Sequence, residues 1–378
     1  MKEYYKLVSA FVILILTLFA PVISHAGGES TPFNKIVFFG DSLTDNGNLY
    51  TVDFGFLPKS PPYFEGRFSN GNVWSEQVAK RFYNQSYIDT SNYAVGGETA
   101  IFHNPINGFL PYSLTASLDT YLLRTMFSDR SRTLFVIWIG ANDYLPQTDP
   151  TVINQLTFDV VDAIRSTIES LIYHGGTNFL VINLPDISKS PYAKENGKTQ
   201  LLSALTFNHN AKLDAAITEI QNSYKEVNIH LYDINKMFVD MFNDIDGFNK
   251  KYNTNLTNLT EACWRGGYTL RKNQSKISED EIARKLEDHL RKQSRLPQTG
   301  IAANEQGKLD TSAFAHYVAT SPDLLEAYSV TEGAEQGELP CKNPDQYVFW
   351  DHIHPTSLMH GLLSKELITY IQNNYTVG

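Results

Sequence analysis

Short, continuous apolar runs alternate with helical patterns through most of this chain, and the alternation restricts the fold more than any other feature. Residues 36–39 and 134–139 are apolar without interruption and residues 178–184 are mostly apolar, as in strands buried on both faces of a parallel sheet. Further strands are predicted at residues 87–95 and 227–232. Helical spacing lies between the strands, at residues 73–82, 114–126, 156–171 and 202–220. The pattern predicts an α/β fold with a central parallel five-stranded sheet and helices on both faces.

A serine follows the first predicted strand, in the segment Gly40-Asp41-Ser42-Leu43. Active sites of parallel sheets form at the carboxyl ends of the strands, so Ser42 is a candidate nucleophile. A serine hydroxyl reacts only when a base removes its proton. Taken alone, the segment fits equally well a turn in which Asp41 orients the chain or Ser42 caps a helix.

A candidate base lies near the other end of the chain, in the segment Asp351-His352-Ile353-His354. Asp351 and His354 are three residues apart, which can bring both side chains to one side of a loop or first helical turn. Asp351 would then fix the imidazole, and His354 would deprotonate Ser42. Two alternatives are that His352 is the base and that His352 and His354 bind a metal, although no third ligand is evident.

Two further strand ends carry groups that could stabilise a negatively charged oxygen. Gly96-Gly97 follows the second predicted strand, and a glycine backbone N–H can approach a substrate closely. Asn142 follows the strand at residues 133–139 and offers a side-chain amide. Together with the N–H of Ser42, these groups would form an oxyanion hole. Each segment alone also fits an ordinary turn.

These four segments, in this order, resemble the four sequence blocks of the GDSL (SGNH) family of lipases and esterases. The segment Gly66-Arg67-Phe68-Ser69-Asn70-Gly71 also resembles a family stretch. The resemblance implies a flavodoxin-like three-layer α/β/α SGNH-hydrolase fold and a triad of Ser42, Asp351 and His354. It also implies oxyanion donors at Ser42, Gly97 and Asn142. Family members often have alanine where this chain has Glu98.

The resemblance further implies a serine ester hydrolase, with no cofactor, that acts on lipid acyl esters. Related bacterial proteins include phospholipases, lysophospholipases and acyltransferases that use an alcohol such as a sterol. A carbohydrate or aryl esterase is the alternative within enzymes, and a surface-binding protein that retains the fold is the alternative outside them. The net charge of −10 argues against a nucleic-acid partner.

The first residues predict export from the cell. Lys2 and Lys6 precede an apolar run at residues 7–20, and Ser24-His25-Ala26 fits a signal-peptidase site. We expect a signal peptide at residues 1–26, the hydrolase domain at residues 27–378, and a secreted bacterial protein in the periplasm or outside the cell. An uncleaved membrane anchor is the alternative.

The strand–helix alternation weakens at about residues 253–345, which we interpret as an insertion forming a lid or surface subdomain. Cys263 and Cys341 are the two cysteines of the chain, and in an oxidising compartment they would form a disulfide around it. Free thiols are the alternative. Residues 278–292 are predicted to form a solvated helix, and residues 300–307 and 331–337 to form loops.

Two partners of the protein are expected besides the ester substrate. Its dibasic pairs Arg271-Lys272, Arg284-Lys285 and Arg291-Lys292 suggest an activating protease that cuts within residues 264–340. A solvated surface excursion explains the same composition. Transient contact with a membrane surface is also expected.

Aromatic and apolar residues after the nucleophile segment are candidates for contact with an acyl chain: Phe54, Phe56, Leu57 and Pro58. His209, in contrast, lies on the apolar stripe of its helix and is expected to pack in the core.

Overall fold

A computed structural model describes residues 31–104, 109–265, 277–292 and 311–378 of the chain. The predicted signal peptide at residues 1–26, the dibasic pair Arg271-Lys272 and the predicted loop at residues 300–307 lie outside the described residues.

Five parallel strands form the central sheet, as the sequence predicts. They are β1 (Lys35–Gly40), β2 (Asp89–Asn92), β3 (Thr133–Trp138), β4 (Asn178–Ile182) and β5 (Asn228–Tyr232). Their order is β2-β1-β3-β4-β5, which is the flavodoxin-like order of the doubly wound folds. The order reverses between β1 and β3, whose last residues, Gly40 and Trp138, are paired. This switch point is where ligands bind in such sheets.

Helices cover both faces of the sheet and complete the three layers. In chain order they are α1 (Asn48–Val52), α2 (Trp74–Ser86), α3 (Leu114–Arg124), α4 (Ala141–Tyr144), α5 (Ile153–Tyr173), α6 (Pro191–Glu195), α7 (Thr199–Ser223), α8 (Ile234–Asn243), α9 (Ile245–Tyr252), α10 (Glu279–Lys292), α11 (Thr311–Thr320), α12 (Pro322–Glu335) and α13 (Ser357–Asn374). Helices α3, α5 and α7 pack side by side, and α2 packs on α13. The apolar stripes of these helices and the strands bury one continuous core.

The strand at residues 87–95 is shorter than predicted. β2 spans four residues and lies at the edge of the sheet, paired with β1 alone. Its residues alternate little in polarity and none of them is fully buried, because an edge strand has one neighbour and a solvated side.

The insertion (residues 253–345) contributes most of a second apolar core, which it shares with residues outside it. Helices α10, α11 and α12 bury Leu286, Phe314 and Leu324 together with residues that follow the nucleophile segment, such as Leu57 and Phe68. The polar composition of this region therefore conceals amphipathic helices that pack on the sheet domain.

Two links join the ends of the insertion. Cys263 and Cys341 form the predicted disulfide. Strand β6 (Asn258–Ala262) pairs with β7 (Tyr347–Phe349), and the Trp264 N–H donates to the Trp350 carbonyl over 2.7 Å. The two ends of the insertion are thus held together directly beside Asp351.

Two predictions for this region need correction. Residues 331–335 are not a loop but the last turn of α12, where Thr331 and Gly333 are buried and Glu332 and Glu335 form ion pairs with lysines. The predicted helix at residues 278–292 is present as α10, but it is not fully solvated, because one side is buried against the insertion core. In both cases the apolar positions alternate with charged residues, which concealed the buried face.

Within the described ranges, none of the helices combines the length and the apolar character required to cross a membrane.

Candidate active site

Ser42 lies in a tight turn directly after β1. Gly40 is required there, because a Cβ atom at this position would lie 2.5 Å from the Trp138 carbonyl oxygen on the neighbouring strand. The Asp41 carboxylate accepts the Leu43 N–H over 3.1 Å, and its carbonyl accepts the N–H groups of Thr44 and Asp45. Asp41 therefore orients the turn, as the sequence predicts, and the side chain of Ser42 is directed toward the last loop of the chain.

His354 contacts Ser42 and Asp351 through its two ring nitrogens. Its Nε2 lies 3.0 Å from the Ser42 Oγ, and its Nδ1 lies 2.7 Å from Asp351 Oδ2. Burial lowers the pKa of His354, but the carboxyl groups of Asp351, Asp323 and Glu326 together outweigh it, so the net pKa lies above the ordinary value. Asp351 and His354 are fully buried, and Ser42 is 3% exposed. The structure thus brings together the three residues that the sequence selected.

The loop around Asp351 fixes this geometry. Asp351 Oδ1 accepts the N–H groups of Ile353 (2.8 Å) and His354 (2.7 Å), and the Trp350 N–H donates to the His354 carbonyl (2.8 Å). The hydroxyl of Tyr63 donates to Asp351 Oδ2 over 2.6 Å. Sequence reasoning missed Tyr63, since nothing local links it to a residue 288 positions away.

The two predicted oxyanion donors lie near Ser42. Gly97 has φ +81°, a left-handed conformation that favours glycine, and it follows the end of β2. The Asn142 amide donates one hydrogen to the Glu98 carbonyl over 3.0 Å and lies at the start of α4. Asn142 lines the same pocket as Ser42.

The backbone N–H of Gly97 is occupied by a side chain of the insertion. It donates to Asp323 Oδ2 over 3.0 Å, and Asp323 lies in the first turn of α12 and is fully buried. No sequence pattern indicates this contact, because the two residues are 226 positions apart and an aspartate in the first turn of a helix is common.

His352, the alternative base, faces away from Ser42. Its Nδ1 lies 2.6 Å from Glu326 Oε1 and its Nε2 lies 3.3 Å from Glu195 Oε2. Burial lowers the pKa of His352, but Glu326 and Glu195 outweigh it and raise the pKa to about 10. His352 therefore links α12 to α6 and is not positioned to act as the base.

The metal hypothesis for His352 and His354 also finds no support in the geometry. Their side chains contact different partners, and the described residues contain no group of three or more potential ligands that could hold a metal ion.

Several carboxyl groups are buried around the site. Burial raises the pKa of Asp41 to about 7 and that of Asp143 to about 7. It also raises the pKa of Glu98 well above its ordinary value. Glu98, whose role the sequence left open, is fully buried and accepts the Val95 N–H over 3.1 Å, so it holds the Gly96-Gly97 turn.

A pocket of about 70 Å³ lies beside Ser42. Most of its lining is apolar: Trp138, Leu145, Ile187, Phe238, Phe349 and Ile353. The predicted acyl-chain residues are elsewhere. Phe54, Phe56 and Leu57 pack in the core of the insertion, because that core covers the segment after α1.

His209 is buried in α7, as predicted, where its Nδ1 lies 2.8 Å from the Tyr144 hydroxyl. Burial lowers the pKa of His209 to about 3. This neutral, packed histidine contacts α4, the short helix that also contains Asn142.

Comparisons with known proteins find similarity over most of the chain. The sequence model of the family described as GDSL-like lipase/acylhydrolase matches residues 36–367. A phosphatidylcholine-sterol acyltransferase of Aeromonas hydrophila is 30% identical over 354 residues, which cover 93% of this chain and 94% of the relative. The secreted effector protein SseJ of Salmonella typhimurium is 30% identical over 201 residues, 53% of this chain and 46% of that protein. Among solved structures, a lipolytic G-D-S-L family protein of Veillonella parvula is 16% identical with a TM-score of 0.34, covering 56% of this chain and 84% of that chain.

Proposed function

Because the chain belongs to the GDSL-like lipase/acylhydrolase family and is a carboxylic ester hydrolase, we propose that it cleaves lipid acyl esters through an acyl-enzyme on Ser42. The observation that carries the proposal is the pair of hydrogen bonds joining Ser42, His354 and Asp351 (3.0 and 2.7 Å). This chain of contacts is the arrangement that activates a serine hydroxyl.

In the first half of the reaction, His354 Nε2 takes the proton of Ser42 as Oγ attacks the ester carbonyl carbon. The carbonyl oxygen becomes negatively charged and is stabilised by the N–H of Ser42, the N–H of Gly97 and the amide of Asn142. Asp351 stabilises the imidazolium that forms. The tetrahedral intermediate collapses, the ester C–O bond breaks, and His354 protonates the leaving alcohol.

In the second half, a water molecule or a second alcohol attacks the acyl-enzyme. His354 removes its proton, the acyl carbon–Oγ bond breaks, and the proton returns to Ser42 Oγ. Water yields a free fatty acid, and an alcohol such as a sterol yields a new ester. The same residues therefore support hydrolysis and acyl transfer.

Two observations favour a lipid substrate. The apolar pocket beside Ser42 suits a hydrocarbon chain better than a sugar, which needs polar partners. The Aeromonas hydrophila relative, similar over nearly the whole length of both chains, is named a phosphatidylcholine-sterol acyltransferase. We therefore place phospholipase A or lysophospholipase activity first, with transfer to a sterol as an accompanying activity.

Secretion is part of the same proposal. The disulfide between Cys263 and Cys341 is typical of an oxidising compartment, and the SseJ relative is named a secreted protein. A signal peptide at residues 1–26 would account for export.

The test is to incubate the purified protein with phosphatidylcholine, lysophosphatidylcholine and cholesterol in mixed vesicles and to identify the products. We expect fatty acid and lysolipid or glycerophosphocholine, together with cholesteryl ester. Activity on acetylated sugars or aryl acetates without any lipid product would instead assign the alternative esterase function.

The matched variants are Ser42→Ala and Ser364→Ala. Ser364 is also a buried serine, but it lies on α13, away from the site. We expect Ser42→Ala to abolish ester cleavage, at least about 10³-fold, while Ser364→Ala retains it. Unchanged cleavage by Ser42→Ala would overturn the mechanism.

A further inference from the structure

The backbone N–H and the backbone carbonyl of Gly97 both form hydrogen bonds with side chains of the insertion. The Gly97 N–H donates to Asp323 Oδ2 over 3.0 Å, and the Tyr317 hydroxyl donates to the Gly97 carbonyl over 2.7 Å. A backbone N–H of an oxyanion hole must be free to meet the substrate oxygen. In this conformation the Gly97 N–H already has a carboxyl oxygen as its partner.

The Asp323 carboxylate also faces the other reacting groups. Ser42, through its hydroxyl, and His354, through its charge, each lower the pKa of Asp323. The carboxyl group of Asp41 faces it as well. Burial raises the pKa of Asp323, and His354, Ser42, Leu324 and Gly97 oppose that effect only in part. A carboxylate next to Oγ and on the oxyanion donor occupies the position that an ester carbonyl would take.

Neighbouring side chains of the insertion close the remaining space. A Cβ atom built on Gly97 would lie 2.7 Å from Leu324 Cδ1 and 2.8 Å from the Tyr317 Oη. Ser42 is 3% exposed and His354 is fully buried. A substrate carbonyl cannot reach Ser42 and Gly97 together while the first turn of α12 stays where it is.

Two pockets lie on either side of this contact and share Asn142. One is the apolar pocket beside Ser42, and the other contains Gly97, Tyr317 and Pro322. Asp323 is in contact with Ser42 on one side and with Gly97 on the other. Withdrawal of the first turn of α12 would join the two pockets across the oxyanion donors.

We propose that Asp323 is an internal inhibitor of this esterase: its carboxylate occupies the oxyanion site as a mimic of a fatty-acid product, and substrate binds only after the first turn of α12 withdraws. The inference rests on the proposed function, because it takes Ser42 as the nucleophile. It assigns the insertion a regulatory role at a defined pair of atoms, Asp323 Oδ2 and the Gly97 N–H.

The competing explanation is that Asp323 only stabilises its own helix. Asp323 Oδ1 accepts the Leu324 N–H over 2.8 Å, and an acidic residue in the first turn of a helix is favourable. The two explanations make opposite predictions for enzyme activity. Loss of an inhibitor raises the rate of ester cleavage, whereas loss of a helix-stabilising residue lowers stability and leaves the rate unchanged or reduced.

The experiment compares the full-length wild type with Asp323→Asn and Asp323→Ala on p-nitrophenyl butyrate, a small soluble ester. Because an internal ligand competes with substrate, we expect KM to fall about tenfold or more in Asp323→Ala while kcat is retained. Asp323→Asn keeps the size but loses the charge and should show a smaller fall. Labelling of Ser42 by a fluorophosphonate should accelerate in the same order.

Asp280→Asn is the matched control, since Asp280 is an exposed acid of the same insertion on α10. Its KM and labelling rate should equal those of the wild type. A KM of Asp323→Ala equal to or above the wild-type value would overturn the inhibitor role while leaving the hydrolase function intact. If neither the wild type nor the Asp323 variants cleave the ester or react with the fluorophosphonate, the proposed function itself fails.

A second measurement needs no variant. When a fluorophosphonate has reacted with Ser42, its phosphoryl oxygen requires the Gly97 N–H, so Asp323 must leave. Hydrogen–deuterium exchange should then be faster in residues 322–326 of the labelled wild type than of the free protein. Equal exchange in both would contradict the proposal even if the Asp323 variants did not fold.

Discussion

The sheet domain (residues 31–252 and 347–378) and the insertion both reach Ser42, but they bring opposite groups to it. The sheet domain brings the base His354, the carboxylate Asp351 and the amide of Asn142, all of which would assist attack on an ester. The insertion brings the carboxylate of Asp323 to a backbone donor that the attack requires. The groups that would assist the reaction and the carboxyl group proposed to inhibit it therefore lie in different parts of the chain.

The two histidines of the last loop show the same division two residues apart. His354 points to Ser42 and has a reactive partner, whereas His352 points to Glu326 of α12 and Glu195 of α6. The same loop thus carries His354, which contacts Ser42, and His352, which contacts α12. Displacement of α12 would leave His352 with Glu195 and would not remove a group that the reaction uses.

The largest effect is expected in the sheet domain, from Asp351→Asn. An asparagine keeps the shape but cannot stabilise the imidazolium of His354, so kcat should fall about 10⁴-fold, which is about 5 kcal/mol. The measurement is the steady-state rate on p-nitrophenyl butyrate. Asp345→Asn, which alters an exposed acid just before β7, is the control and should keep full activity.

A smaller effect is expected from a pair of tyrosines, one from each region. Tyr63→Phe removes a donor from Asp351 and should lower kcat about tenfold, or about 1.4 kcal/mol. With one donor fewer, the Asp351 charge acts more strongly on His354, whose pKa is already raised. Because the base must be neutral, the acid limb of the pH–rate profile should move to higher pH.

Tyr317→Phe is the counterpart from the insertion, since it removes the donor to the Gly97 carbonyl. We expect no loss of kcat and an unchanged acid limb. Equal losses in the two tyrosine variants would show that the insertion takes part in the chemistry, and the contrast between the regions would be lost.

The smallest effect is expected on the free energy of unfolding, through His352, which joins the two regions. The pKa of His352 is raised to about 10 in the folded protein, from about 6.5 in the unfolded chain. The folded state therefore binds this proton more tightly, and the stabilisation is complete below about pH 6.5 and is lost as the pH rises toward 10. The stability advantage of the wild type over His352→Gln should fall by at least about 1 kcal/mol between pH 6.5 and 9.5.

Urea unfolding at the two pH values measures this difference. His316→Gln is the control, because His316 is an exposed histidine of the insertion whose contact with Glu279 is screened by solvent. A constant difference between wild type and His352→Gln across the pH range would show that His352 carries no extra proton in the folded protein.

The sequence was informative wherever a feature depends on nearby residues. Continuous apolar runs indicate buried parallel strands, and the carboxyl ends of neighbouring parallel strands lie at one edge of a sheet. This rule alone brings Ser42, Gly97 and Asn142 close together. The spacing of Asp351 and His354 places their side chains together because one short loop carries both.

The sequence misled where apolar and charged positions are interleaved. The last turn of α12 was predicted as a loop, since Glu332, Gly333 and Glu335 look solvated in isolation. Their neighbours Lys285 and Lys59 come from distant segments and pair with the two glutamates. Phe54 and Leu57 were assigned to substrate for the same reason, as the helices that cover them lie more than 200 residues later.

By itself, therefore, the sequence determined the parallel sheet, the position of Ser42 at its carboxyl edge, and the closeness of Asp351 to His354, because each follows from local spacing or strand order. Only the tertiary structure decided that Tyr63 donates to Asp351, that His352 contacts Glu326 of α12, and that Asp323 accepts the Gly97 N–H. These contacts join residues 288, 26 and 226 positions apart. Such pairings depend on how the insertion packs against the sheet domain, which no local pattern encodes.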